Sequence, residues 1–266
     1  MNKIYNIDCL EGMRMMDEKS VDLIITSPPY SNMKSYIDFK GIHPDDYVDW
    51  FMPIIKESFR ILKPSGSFIL NINDKVENGF RHPYVYDLIS EVHKQTEFKM
   101  YDRLFWNKKK FIPNPYRFGD KIEYIFWFVK NKKFKFYMDE MRVEYNERSI
   151  NRMKYKLKSR YARTEENQID SKYKEWSPNQ KGALPSTLVD ISSEAKRVSN
   201  KHVAVFPEAL VEYFIKGTTD IGDLVLDPFM GSGTTGVVCK KLNRNWLGFE
   251  ISKEYIEEAN LRIDGI

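Results

Sequence analysis

One stretch constrains this chain more than any other: Leu226-Asp227-Pro228-Phe229-Met230-Gly231-Ser232-Gly233-Thr234-Thr235. Before it, Asp223-Leu224-Val225-Leu226 is a short apolar run bounded by Gly222, the pattern of a buried parallel strand. After it, Gly236 to Leu242 reads as a helix. A strand, a glycine turn and a helix start therefore follow one another. Glycines let a ligand approach the backbone, and a helix start offers free N–H groups and the positive end of the dipole. A small ligand carrying a carboxylate or phosphate suits such a place. Other readings stay open on these residues alone. Gly231, Gly233 and Gly236 match the GxGxxG letters of a dinucleotide site, with Glu250 following 19 residues after Gly231. A tight strand-to-helix turn needs no ligand at all.

The chain up to residue 130 alternates strand and helix. Lys3 to Ile7 predicts a strand closed by Asp8, a carboxylate placed either to bind a ligand or to cap a helix over 10–16. Val21 to Ile25 predicts a buried strand running into Thr26-Ser27-Pro28-Pro29-Tyr30. The two prolines fix φ, remove two N–H donors and let carbonyls face outward as acceptors. Ser27 adds a hydroxyl and Tyr30 an aromatic face. Asp45 to Leu62 has helical period, ended by Pro64-Ser65-Gly66. Strands are expected over Ser67–Ile72, Lys99–Trp106 and Glu123–Val129, with a helix from Pro83 to His93. This alternation predicts an α/β fold with a mostly parallel central sheet.

Between the last two strands, Trp106 to Pro115 is basic, aromatic and proline-rich, a lip able to hold a base and phosphates. From Asn131 to about Asn200 the rhythm is lost. Residues 130–201 carry a balance of +8, and the remainder of the chain −4. Arg152, Lys154, Lys156, Lys158, Arg160 and Arg163 fall within twelve residues free of acids, with Tyr155 and Tyr161 interleaved. Such a segment is a solvated face or, more sharply, a polyanion-binding surface. The helix from Glu208 follows Phe206-Pro207, with the proline suited to the first helical position. The strand Trp246–Phe249 ends at Glu250, a carboxylate able to accept from a ribose diol. A last helix is expected from Lys253 to Arg262.

Four scattered histidines and two cysteines, Cys9 and Cys239, give neither a metal cluster nor a disulfide framework. No run approaches a membrane span, and the first residues lack the apolar core of a signal peptide, so a cytoplasmic location is expected.

Taken together, Thr26-Ser27-Pro28-Pro29-Tyr30 and Asp227 through Thr235 resemble the paired motifs of the S-adenosylmethionine-dependent DNA methyltransferases that act on exocyclic amino groups. The proline motif comes first, then the basic segment, then the glycine motif. That order is similar to the circularly permuted beta class. The resemblance implies a permuted Rossmann-like fold. Residues 1–130 would be the catalytic half, 131–200 an inserted target-recognition region, and 201–266 the S-adenosylmethionine-binding half. The strands at Leu224 and Trp246 would then slot between those at Ile4 and Leu23.

Roles follow from the same resemblance. Asp227, Phe229, Gly231 and Gly233 would border the cofactor, with Thr234 and Thr235 near its methionine carboxylate. Glu250 would hold the ribose hydroxyls, Asp8 and Cys9 the adenine, and Phe206 the methionine side. Ser27, Pro28, Pro29 and Tyr30 would be catalytic. Trp106 would sit beside an extruded base, with Lys108 and the six basic residues from Arg152 to Arg163 contacting DNA. Serine at the head of the proline motif implies the N4 amino group of cytosine, where aspartate or asparagine accompanies the N6 of adenine. Neither cysteine lies near Ser27, which excludes the thiol adduct of ring-carbon methylation. The partners implied are double-stranded DNA, a cognate restriction endonuclease and a second copy in a homodimer. An adenine-N6 enzyme, a NAD-dependent oxidoreductase and a non-catalytic nucleic-acid-binding module are the rival readings.

Overall fold

The structure, a computed structural model, describes residues 1–31, 41–109, 113–155, 177–192 and 206–266, and the backbone of four two-residue strands between 158 and 175. In chain order the first elements are β1 (Lys3–Asn6), α1 (Cys9–Arg14), β2 (Val21–Thr26), α2 (Tyr47–Ile61) and β3 (Leu62–Ile72). A small hairpin of β4 (Val76–Glu77) and β5 (Phe80–Arg81) leads to α3 (Tyr84–Gln95), β6 (Lys99–Asn107) and β7 (Ile122–Val129). Then come α4 (Glu147–Met153), β8 (Lys158–Ser159), β9 (Ala162–Arg163), β10 (Ile169–Asp170), β11 (Lys174–Glu175) and β12 (Leu188–Val189). The chain closes with α5 (Glu208–Thr218), β13 (Leu224–Asp227), α6 (Thr234–Lys241), β14 (Asn245–Glu250) and α7 (Lys253–Asp264).

Eight strands form one sheet in the order β1-β14-β13-β2-β3-β7-β6-β12. The C-terminal strands β13 and β14 lie between β1 and β2, as the permuted order requires. Their pairings from β1 through β3 are all parallel. Asn2 and Asn6 fasten the join: the Asn2 N–H donates to the Trp246 carbonyl, and Asn6 Nδ2 donates to the carbonyls of Glu250 and Ile251. β7 alone runs against its neighbours β3 and β6. Among the described residues between β6 and β7 there is no crossover helix, and a direct return of this kind produces an antiparallel pair.

β2 is buried along its whole length, so its Val-Asp-Leu-Ile-Ile run has no polar face. Asp22 within it is compensated: Lys63 Nζ lies 2.7 Å from its carboxylate, and the Leu224 N–H donates to it at 3.0 Å. α2 ends at Ile61, just before Pro64-Ser65-Gly66. α2 passes straight into β3, and those residues form an irregularity opposite β2. A Cβ at Gly66 would lie 2.7 Å from the Asp22 carbonyl oxygen, which explains the glycine at this close approach.

α1, α2 and α3 pack side by side, as do α5, α6 and α7. Strand alternation separates the two faces. Phe68, Leu70, Phe126 and Phe128 face the cluster of Tyr47, Phe51, Ile55 and Leu88 from α2 and α3. Trp127, one residue out of phase, meets Phe214 of α5 edge-on. Pro207 sits one position before the first helical residue of α5, with extended ψ, rather than at that first position.

Two compact units divide the chain: Met1–Tyr137 with Thr187–Ile266, and Met138–Ser186. The inserted unit is thus narrower than the composition shift at 131–200 suggests. Phe134 and Phe136 pack on Trp127, and β12 adds to the sheet beside β6. Within the second unit, Asn146 caps α4 through the Ser149 N–H, and Val143 bridges to Ala183. β8 pairs with β11 and β9 with β10, both antiparallel.

Candidate active site

The sheet sets where chemistry can sit. From β13 the chain proceeds toward β14 on one side; from β2 it proceeds toward β3 on the other. Ligands in open α/β sheets bind outside the carboxyl ends of strands at such a reversal. The carboxyl ends of β13 and β2 carry the two motifs.

At the end of β13, Asp227 is buried and accepts three hydrogen bonds. Thr26 Oγ1 donates at 2.8 Å, Thr235 Oγ1 at 2.6 Å and the Phe229 N–H at 3.1 Å. Burial raises the carboxyl to about 7 against the lowering pull of these donors. Its lone pairs serve the turn itself, so Asp227 is an internal strut between the two motifs. Thr234 and Thr235 are likewise buried, and their side chains face inward: Thr235 to Asp227, Thr234 to Arg262. What they present at the start of α6 is backbone.

The turn needs its glycines. Gly231 has φ 49° and Gly233 φ 78°, both left-handed. A Cβ at Gly233 would also lie 2.7 Å from the Ala259 Cβ. Across the turn, Glu250 at the end of β14 accepts from the Gly231 N–H and the Ser252 N–H, each at 2.9 Å. β1 is next to β14, with Asn6 opposite Glu250. Asp8 caps α1, accepting from the Leu10 and Glu11 N–H groups on one oxygen. Cys9 is buried, and burial pushes its thiol well above the usual range, as it does that of Cys239. Phe229 packs against Trp50 and Phe51, ring centroids 5.9 and 6.2 Å away. Phe206 is half-buried just before α5. A helix start with backbone donors, a glycine turn and a facing carboxylate form a donor and acceptor set that fits an amino acid carboxylate at one end and a ribose diol at the other.

At the end of β2 the loop is held by distant residues. The Pro29 carbonyl accepts from Tyr47 Oη at 3.0 Å. Ser27 Oγ lies 3.1 Å from Tyr30 Oη. Tyr30 Oη donates to Glu123 Oε2 at 2.7 Å, and Asn71 Nδ2 donates to Tyr30 Oη at 2.7 Å and to Glu123 Oε2 at 2.9 Å. Lys108 Nζ pairs with the other Glu123 oxygen at 3.2 Å. Tyr30 is 7% exposed, so the stacking face expected of it is covered in this structure.

Two expected DNA contacts are corrected. Trp106 is 4% exposed and its indole N–H donates to the Ile191 carbonyl just beyond β12, so it packs as core instead of offering a face to a base. Lys108 neutralises Glu123 rather than standing free for phosphate. Arg152 and Lys154 are exposed on and just after α4. Lys156, Arg160 and the side chains of Lys158 and Arg163 lie outside the described residues.

Sequence reasoning missed Asn71, Glu123, Tyr47 and Trp50 as site residues. A signal existed for Asn71: a polar side chain inside an apolar strand must be partnered. Glu123 carries no comparable signal, since an acid at the mouth of a strand is ordinary.

Comparison with known proteins agrees with the geometry. A family model described as DNA methylase, of the N6 and N4 methyltransferases, matches residues 21–261. The type II methyltransferase M.BglII of Bacillus subtilis is 30% identical over 265 residues, covering 100% of this chain and 69% of that protein. The solved structure of the cytosine-N4-specific PvuII DNA methyltransferase superposes with a TM-score of 0.73 at 25% identity, over 97% of this chain and 85% of that one. The fold also matches a DNA modification methylase of Thermus thermophilus solved with S-adenosyl-L-methionine, with a TM-score of 0.65 at 23% identity, over 100% and 95% of the two chains. With a permuted sheet that brings a glycine cradle beside a Ser-Pro-Pro-Tyr loop, this chain belongs to the N6/N4 DNA methylase family and is a DNA methyltransferase.

Proposed function

We propose that this chain methylates the exocyclic N4 amino group of a cytosine extruded from duplex DNA. The observation that carries the reading is the Thr26–Asp227 hydrogen bond at 2.8 Å, which locks the Ser-Pro-Pro-Tyr loop onto the glycine turn. The cofactor is S-adenosyl-L-methionine, which when bound supplies an electrophilic sulfonium methyl group. Backbone donors at the start of α6 hold its carboxylate, Glu250 accepts from its ribose hydroxyls, and Phe229 and Phe206 line it.

A base inside a duplex hides its amino group, and extruding it costs about a few kcal/mol. That group is a poor nucleophile because its lone pair is delocalised into the ring. Ser27 Oγ and the Pro28 carbonyl accept from its N–H groups and hold it pyramidal, which localises the lone pair. The Pro29 carbonyl is the one that Tyr47 engages. Positioning then does most of the work. With both cysteines buried and their thiols held protonated, no thiolate adduct is available.

The names of the relatives, type II methyltransferases, support a protecting role beside a restriction endonuclease. The exposed basic residues Arg152 and Lys154 support the inserted unit as the DNA-reading part. The second reading is adenine N6, which the family includes and which would use the same loop. Duplex DNA incubated with labelled cofactor and digested to nucleosides separates the two. Label in N4-methylcytosine is the expected result. Label in N6-methyladenine replaces the target and keeps the rest.

A further inference from the structure

The hydrogen bonds behind Ser27 permit a proton count, and the inference drawn from it rests on the reading of Ser27 as the group that engages the amino nitrogen. Tyr30 has one hydroxyl proton, and it goes to Glu123 Oε2, an acceptor only. Asn71 has two amide protons, and its short contacts are to Glu123 and to Tyr30 Oη; Ser27 Oγ is farther, at 3.4 Å. The Ser27–Tyr30 contact therefore uses the serine proton, donated to the phenol oxygen. The lone pairs of Ser27 are left to face the site, so the serine is an acceptor there and not a donor. The amide of Asn71 keeps this orientation although its Oδ1 is buried and unpartnered, a cost that a position serving only packing would avoid. Lys108 Nζ lies 3.2 Å from the far oxygen of Glu123.

We infer that Glu123, acting through Tyr30, is the positioning residue that makes Ser27 an acceptor and the final acceptor of the proton the amino group sheds. The nitrogen lone pair forms the new C–N bond while the C–S bond breaks, its pair staying on sulfur. The nitrogen then loses one proton to Ser27 Oγ. The Ser27 proton moves to Tyr30 Oη, and the Tyr30 proton to Glu123 Oε2. Both hydroxyls end neutral, and Glu123 ends as a neutral acid that solvent resets.

The test compares Glu123→Gln, Tyr30→Phe, their double variant and Ser27→Ala in single-turnover methyl transfer, with cofactor affinity measured by calorimetry. Each of the first two slows transfer roughly 10²-fold and leaves cofactor affinity within about twofold. Residues of one relay act as a unit, so the double variant is no slower than the slower single one. In cofactor-free protein labelled with [¹³Cζ]tyrosine, the Tyr30 resonance moves in Glu123→Gln. A Tyr30→Phe rate within about threefold of the parent overturns the relay, whether or not Glu123→Gln folds. So does a double variant that loses the product of both effects, or an unmoved Tyr30 resonance. An unaffected Ser27→Ala overturns the reading beneath it; an inactive Ser27→Ala beside a fully active Glu123→Gln overturns the relay alone.

Discussion

The ends of β13 and β2 are neighbours built on opposite plans. The glycine turn after β13 takes its shape from its own left-handed glycines and from Asp227 bound by Phe229 and Thr235 within ten positions, and Thr26, Glu250 and Arg262 clasp it from outside. The loop after β2 is held from afar, by Tyr47 on α2, Asn71 on β3 and Glu123 on β7, up to 93 residues away. A cradle for a constant ligand needs shape, which local backbone supplies. A loop that acts on a reacting amino group needs protons and charges set in place, and those come from elements that can change independently.

The contrast can be broken at either end. Ser27→Ala removes the hydroxyl proposed to engage the amino group, and methyl transfer should fall about 10³-fold with cofactor affinity unchanged; a parallel loss of affinity would mean the two ends are not separable. Gly233→Ala attacks the shape of the other end through both φ and the Ala259 contact. It should lower stability by about 2–4 kcal/mol, read as a denaturant midpoint, and weaken cofactor binding with it. Glu250→Ala removes a chemical group from that same end while keeping the glycines. It should weaken cofactor affinity by about 1.5–3 kcal/mol and leave the single-turnover rate at saturation nearly intact.

The strut between the ends gives the most graded effect, small over any one pH unit. The folded protein holds the Asp227 proton to about pH 7, whereas an unfolded aspartate releases it near its ordinary value of about 3.9. Folding then takes up a proton, and this group's contribution falls as pH rises between those limits, by at most about 1.4 kcal/mol per pH unit, and is flat above. Unfolding midpoints followed from pH 5 to pH 8 should show that slope in the parent and lose it in Asp227→Asn.

The same contrast explains what could be read without a structure. The motif at 226–235 announces strand, turn and helix because its glycines and its local bonds from Asp227 to Phe229 and Thr235 set the backbone, and the permuted strand order followed from the order of the two motifs. Glu123 was invisible because its meaning lies in Tyr30, on the loop after β2, 93 residues away. Trp106 was misjudged for a related reason. Its aromatic, basic context suggested a lip, but the two-residue strand β12, which has no period of its own, pairs beside it, and the Ile191 carbonyl just beyond takes the indole N–H. The reversal of β7 was missed because alternation along a chain does not state which connections contain a helix.

The passage of α2 into β3 without a loop has a consequence for how this gene can change. From Ser67 to Ile72, β3 is paired without interruption to β7 and, over its first four residues, to β2. A codon inserted in that run has no slack to vanish into. Because side chains alternate along a strand, one added residue would turn Asn71 to the opposite face of the sheet and bring Leu70 beneath Tyr30. Length in this segment is therefore under stricter constraint than composition: lineages can exchange the apolar residues here for one another, while single-residue insertions and deletions should be confined to the irregular stretch before Ser67 or to the hairpin beyond Asp74.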